Sequence, residues 1–225
     1  DPVEIRDRAE ALLAEADTRA GWIVEDQEQA ASLWKLRADG AGLAGVSLDK
    51  PAYGSWEDAA VPPEHLGDYL RDFEALLARH GLHSLPYGHF GDGCVHARID
   101  FPFEVPDGRA RYRAFMLEAA EMVASHGGSM SGEHGDGRAR SELLPRMYSP
   151  EALKLFGAVK HLFDPENLLN PGVLVDPEPT DSNLRMVAAT VSPLNLEDPE
   201  FVARVHQCSG VGKCLSDTTA SGGGM

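Results

Sequence analysis

Two histidines, His89 and His96, flank a Gly-Asp-Gly turn in the run Gly88-His89-Phe90-Gly91-Asp92-Gly93-Cys94-Val95-His96. Kept straight, that run would hold the two imidazoles roughly 20 Å apart. Asp-Gly between two β-prone stretches is instead a strong hairpin signal. The stretches here are Ser84 to His89 and Cys94 to Phe101. Folded back at Gly91-Asp92-Gly93, adjacent strands bring His89 and His96 together at a spacing of about 4.8 Å, which suits two ligands of one ion. An antiparallel pair therefore belongs at the centre of the fold.

A second glycine-rich cluster, Gly132-Glu133-His134-Gly135-Asp136-Gly137-Arg138, follows about forty residues on. Imidazole is the commonest metal ligand near neutral pH, and a carboxylate adds charge to hold a divalent ion. Glu133 is the natural third ligand beside His89 and His96, and two nitrogens plus one oxygen leave positions open for chemistry. Successive side chains of an extended segment diverge, so His134 is expected to face a substrate rather than the same ion. An imidazole there suits proton transfer around neutrality, as a general base. Residue chemistry alone stops at a metal site with an open position. A metal-dependent hydrolase using His89, His96 and Glu133 fits it, and so does a non-catalytic module with structural histidines.

The rest of the chain supplies helices. Asp1-Pro2-Val3-Glu4 reads as a capped helix start, followed by Ile5, Ala9, Leu12 and Leu13 at helical spacing. Gly21-Trp22-Ile23-Val24 is a short strand candidate, and Asp26 caps a second helix to about Leu36. Residues 39–56 read as a loop. Pro62 and Pro63 end an extended stretch before an amphipathic helix from Glu64 to about His80, closed by Gly81. A long helix is expected over Arg109 to His126, with Phe115, Met116, Ala119, Met122 and Val123 inward, and another from Ser149-Pro150 to Phe163. Helices alternating with few, adjacent strands predict an α+β fold: an antiparallel sheet with helices mainly on one face. Residues 1–175 are expected to form that domain. Residues 176–225, proline-rich at first and glycine-rich at the end, read as a linker and tail with a short helix over Asp198 to His206.

Charge narrows the partners. The chain carries 36 acidic against 20 basic residues, a net −16, so a nucleic-acid backbone is not its partner and an anionic membrane surface is disfavoured. No stretch reaches the length of a membrane span, and no secretory signal is visible. Three cysteines, Cys94, Cys208 and Cys214, make no disulfide framework and point to a reducing compartment, hence the cytoplasm.

Three motifs together resemble a known family. They are Gly88 to His96, Ser131-Gly132-Glu133-His134-Gly135-Asp136-Gly137, and Phe163-Asp164-Pro165-Glu166-Asn167-Leu168-Leu169-Asn170-Pro171-Gly172. In order and spacing they resemble the C-terminal substrate (cap) domain of FAD-linked oxidases of the vanillyl-alcohol-oxidase type, in the D-lactate, glycolate and D-2-hydroxyglutarate dehydrogenase branch. The resemblance covers roughly residues 1–175 and implies a ferredoxin-like cap. It implies a divalent metal, zinc first, on His89, His96 and Glu133, and His134 as the base that takes the hydroxyl proton of a small 2-hydroxyacid. Arg37 resembles a residue that holds a substrate carboxylate, and Asn170 resembles a residue beside the flavin. Gln207-Cys208-Ser209-Gly210-Val211-Gly212-Lys213-Cys214 resembles the start of a fused iron–sulfur domain, with Cys208 and Cys214 toward a 4Fe-4S cluster. The expectation is thus a piece of a longer polypeptide, with an FAD-binding domain upstream and an iron–sulfur domain downstream, and with peripheral membrane association compatible with the whole. The chain departs from the hydroxyglutarate pattern at Arg98, where asparagine faces substrate, at Trp56, where lysine stands, and at Cys94, where asparagine is usual. Arg98 thereby becomes a second candidate for the substrate, and the substrate's identity is what these departures bear on.

Overall fold

The computed structural model describes residues 2–16 and 18–184. Cys208, Cys214 and the short helix expected over Asp198 to His206 lie outside the described residues. The chain divides into two compact units, 1–40 and 41–225. The first holds α1 (Pro2–Glu15) and α2 (Gln27–Ala38). Asp26 caps α2 as expected, its carboxylate accepting the amide of Gln29 at 2.7 Å. The strand expected at Gly21 to Val24 is not formed. Trp22 is 66% exposed, and among the described residues no strand of this unit is there to pair with it.

The second unit contains α3 (Gly40–Val46), β1 (Ala59–Ala60), α4 (Leu66–His80), β2 (Tyr87–His89), β3 (Cys94–His96), α5 (Gly108–Ser125), α6 (Gly137–Arg140) and α7 (Pro150–Phe163). Short 3-10 turns cover Pro63–His65, Phe90–Asp92 and Ser141–Arg146. The α3 segment was expected as loop, since three glycines in seven residues disfavour a helix. Tertiary packing overrides this: Ala44 is buried. The hairpin forms with shorter strands than the sequence suggested. β2 and β3 pair antiparallel with His89 opposite Cys94 and Tyr87 opposite His96. β1 pairs with the other edge of β3, giving the order β1-β3-β2.

Alternation along β3 sorts the sheet's two faces. Val95, with Ala59 beside it, joins the core built by Tyr69, Phe73 and Leu76 of α4 and by Phe115, Met116 and Ala119 of α5. Cys94 and His96 point the opposite way, as do His89 and Tyr87 across the ladder. Helices therefore cover one face, and the other carries the polar residues, in an α+β arrangement. α4 ends on Gly81 in the left-handed conformation, and α7 starts on Ser149, whose hydroxyl accepts the Ala152 amide at 3.2 Å. Beyond α7, Lys160 holds the Asp164 carboxyl down to about 2, aided by the amides of Leu169 and Leu168. Residues up to Leu184 lie on this unit: Asp181 takes Arg109 and Arg113 at 2.7 Å each, and Arg113 also pairs with Glu142. No helix among the described residues is long and apolar enough to cross a membrane.

The turn depends on Gly93, which sits at φ +73 with its carbonyl accepting the Val61 amide at 3.0 Å. A Cβ there would lie 1.9 Å from the Val61 carbonyl oxygen. Gly93→Ala should therefore cost roughly 2 kcal/mol or more, from left-handed strain plus the clash. Urea unfolding measures it; an unchanged midpoint would show that the β1–β3 contact is not what fixes the turn.

Candidate metal centre

His89 closes β2 and His96 closes β3, so the ladder alone brings the rings to 5.6 Å between centroids. His96 is buried, and its Nδ1 lies 2.5 Å from the Glu57 carbonyl oxygen. A carbonyl only accepts, so Nδ1 carries the proton and Nε2 keeps its lone pair for the site. The second cluster comes in from the segment after β3 and α5. Glu133 Oε1 lies 3.2 Å from His96 Nε2, 3.6 Å from His89 Nε2 and 3.5 Å from His134 Nε2. Three imidazole nitrogens thus surround one carboxylate oxygen.

The expected divergence of Glu133 and His134 is not what the fold does. Residues 132–134 form a bend rather than an extended segment, and both side chains turn into the same space. The His134 ring stacks on His96, with centroids 5.3 Å apart and planes within 2°. Its Nδ1 faces Asp58 Oδ1 at 3.6 Å. Asp58 and Glu57 were not singled out by sequence reasoning; the one available signal was an acid opening the apolar run Asp58-Ala59-Ala60-Val61. Asp58 is fully buried. Its carboxylate accepts the amides of His134 at 2.8 Å and Glu133 at 3.2 Å and the Ser131 hydroxyl at 2.5 Å. Its backbone carbonyl takes the Gly132 amide at 2.7 Å. The buried Arg140 donates to the Gly135 carbonyl at 2.8 Å and stands 3.9 Å from Asp58.

Imidazole nitrogens beside a carboxylate oxygen are donors that suit a divalent ion. With ligand bonds of about 2.0–2.2 Å, neighbouring donor atoms of a four- to six-coordinate site lie about 2.8–3.6 Å apart, the range of the separations around Glu133. Asp58, Cys94, His96 and Glu133 also place one donor atom each within 4.8 Å of one another. That grouping is the weaker ligand set. The Asp58 oxygens already take three protein donors, and Cys94 is packed against Gly132, where a Cβ would come within 3.1 Å of its sulfur. Burial, with the charges of Glu133 and Asp58 added, pushes the Cys94 thiol up to about 11. His96 and Glu133 belong to both groupings, with His89 and His134 close enough to share their space.

The other candidates lie as follows. Arg98 follows His96 by two residues, is mostly buried, and stands 3.8 Å from Glu57 Oε2, with its Nε lacking a hydrogen-bond partner. Asn170 is exposed in the turn after α7, at φ +50. Arg37 is on α2, in the other unit. A cavity of about 590 Å³ between the Ser141–Arg146 turn, α7 and the segment that follows it includes none of the residues around Glu133.

The family model for FAD linked oxidases, C-terminal domain, matches residues 2–174. The chain belongs to this family. Among the curated relatives of this FAD-linked oxidase domain, D-2-hydroxyglutarate dehydrogenase of Escherichia coli (strain K12) is 31% identical over 96% of the chain and 23% of the relative. D-lactate dehydrogenase of Archaeoglobus fulgidus is 37% identical over 52% of the chain and 26% of the relative. The glycolate oxidase subunit GlcD of Bacillus subtilis (strain 168) is 27% identical over 81% of the chain and 37% of the relative. The chain thus spans about a sixth to a quarter of the length of the hydroxyglutarate dehydrogenases it matches.

Proposed function

We propose that the whole polypeptide carrying this chain oxidises a small D-2-hydroxyacid with FAD, and that this chain furnishes the substrate side of the active site, with a divalent metal, zinc first, on His89, His96 and Glu133. The observation that supports it is the convergence of three imidazole nitrogens on Glu133 in a member of the FAD-linked oxidase family. When bound, the ion supplies Lewis acidity toward the acid's hydroxyl and carboxylate, and the flavin supplies the hydride acceptor.

The chain's own residues do the rest. His96, tied at Nδ1 to Glu57, offers Nε2 without rotating. Glu133 brings the negative charge that retains a cation. His134 takes the hydroxyl proton at Nε2, with Nδ1 turned to Asp58. Arg98 holds a carboxylate group of the substrate through the guanidinium fork, and Asn170 faces the flavin at the junction with the FAD-binding domain. Cys208 and Cys214 contribute to a 4Fe-4S cluster completed by residues of a downstream domain.

The test uses the whole polypeptide and dye reduction with D-2-hydroxyglutarate, D-lactate and glycolate. Chelation should lower turnover about a hundredfold or more, and zinc should restore it. Full turnover without metal would sink the proposal. Metal-dependent hydrolysis by the 225-residue chain alone would favour a hydrolase instead.

A further inference from the structure

We propose that Asp58 is a positioning residue for this site: it sets Glu133 and His134 in register with the hairpin histidines, and its loss weakens metal binding beyond any effect on the fold. The proposal rests on reading His89, His96 and Glu133 as ligands of an ion.

Two consecutive residues, Glu57 and Asp58, touch His96, Glu133 and His134. The Glu57 carbonyl fixes the tautomer of His96, and the Asp58 carboxylate takes the amides of Glu133 and His134. The second contact closes 75 residues of sequence. No regular element holds the bend at 132–134, so its amides have no ladder or helix to enter. A carboxylate with no exposed surface satisfies them, and its charge strengthens each bond. The Ser131 hydroxyl and the Asp58 carbonyl's bond to Gly132 fasten the two residues before Glu133. The side chains of Glu133 and His134 are about half exposed, and beyond the stacking of His134 on His96 little packing orients them. Their aim comes from the backbone, and the backbone's from Asp58. The carboxylate also lies along the Nδ1 side of His134, where it favours a proton on that atom and leaves Nε2 toward the ion and the substrate.

Asp58→Asn is the informative variant, because it keeps the size while replacing one acceptor oxygen with a donor that faces other donors. The probe is Co²⁺, titrated into the chain and followed by its visible spectrum. Asp58→Asn should bind Co²⁺ about 10- to 100-fold more weakly, with a changed spectrum. Leu76→Ala, a core substitution on α4 away from the site, should lower the melting temperature while leaving cobalt affinity and spectrum as they were. Unchanged affinity and spectrum in Asp58→Asn would overturn the proposal, as would weakening in Leu76→Ala equal to that in Asp58→Asn. Hydrogen exchange on the unsubstituted chain decides the matter if Asp58→Asn does not fold. The amides of Glu133 and His134 should exchange at least about a hundredfold more slowly than in an unstructured chain, and exchange at unstructured rates would overturn the clamp. An unsubstituted chain that takes up no cobalt overturns the metal reading instead, and leaves exchange to judge the backbone contact.

Discussion

Replacing His96 with alanine should lower zinc affinity by about a hundredfold or more. A structural zinc site of four ligands is worth about 10–16 kcal/mol, so one ligand accounts for roughly 3 kcal/mol. The loss extends past one nitrogen. His96 is the buried member of the set, its ring stacks on His134, and its Nδ1 satisfies the Glu57 carbonyl. Alanine would leave that carbonyl without its donor and remove the surface against which His134 rests. Turnover of 2-hydroxyacid by the whole polypeptide should fall with it, by roughly a thousandfold, since several kcal/mol of charge stabilisation go with the ion. Metal analysis after dialysis and isothermal titration read the first effect; dye reduction reads the second. His161→Ala, on the exposed side of α7, should change neither. Zinc retained at full affinity in His96→Ala would remove this histidine from the ligand set.

Phe115→Ala should cost about 3–5 kcal/mol of stability, the usual range for emptying a buried phenylalanine site. Phe115 has no exposed surface and meets three rings edge-on: Phe101 at 5.4 Å, His80 at 5.5 Å and Phe73 at 6.3 Å. It thereby links α5, α4 and the strand-like segment after β3. A domain of this size loses about 2–4 °C for each kcal/mol, so the melting temperature should fall by roughly 10 °C. A fall of only a degree or two would mean that the α4–α5 seam closes over the gap. Because the site lies on the opposite face of the sheet, zinc affinity measured below the melting range should stay close to that of the unsubstituted chain.

Local signals in the sequence carried much of this arrangement. The hairpin was legible because Asp-Gly and two β-prone runs act over a few residues. α4, α5 and α7 were legible from apolar spacing, with Gly81 and Ser149 marking an end and a start. The misses have a common cause: they were decided by distant partners. Gly40–Val46 is helical despite its glycines, because Ala44 is buried. Gly21 to Val24 has strand-like residues but, among the described residues, no strand in its unit to pair with. The bend that turns Glu133 and His134 together depends on Asp58, and nothing around residue 58 announces a partner so far along the chain. Asp58 was invisible for the same reason. Two acids before a pair of alanines look like a strand end until the donors that Asp58 receives are known.

That long contact has a bearing on how the site comes into being during synthesis. His89 and His96 leave the ribosome well before Glu133, and Asp58 leaves before any of them. Until residues 131–134 emerge, the nascent hairpin offers at most two imidazoles, a weak and unselective grip on any passing cation. In the proposed ligand set the carboxylate of Glu133 thus comes last, when the second cluster reaches Asp58 across 75 residues of sequence.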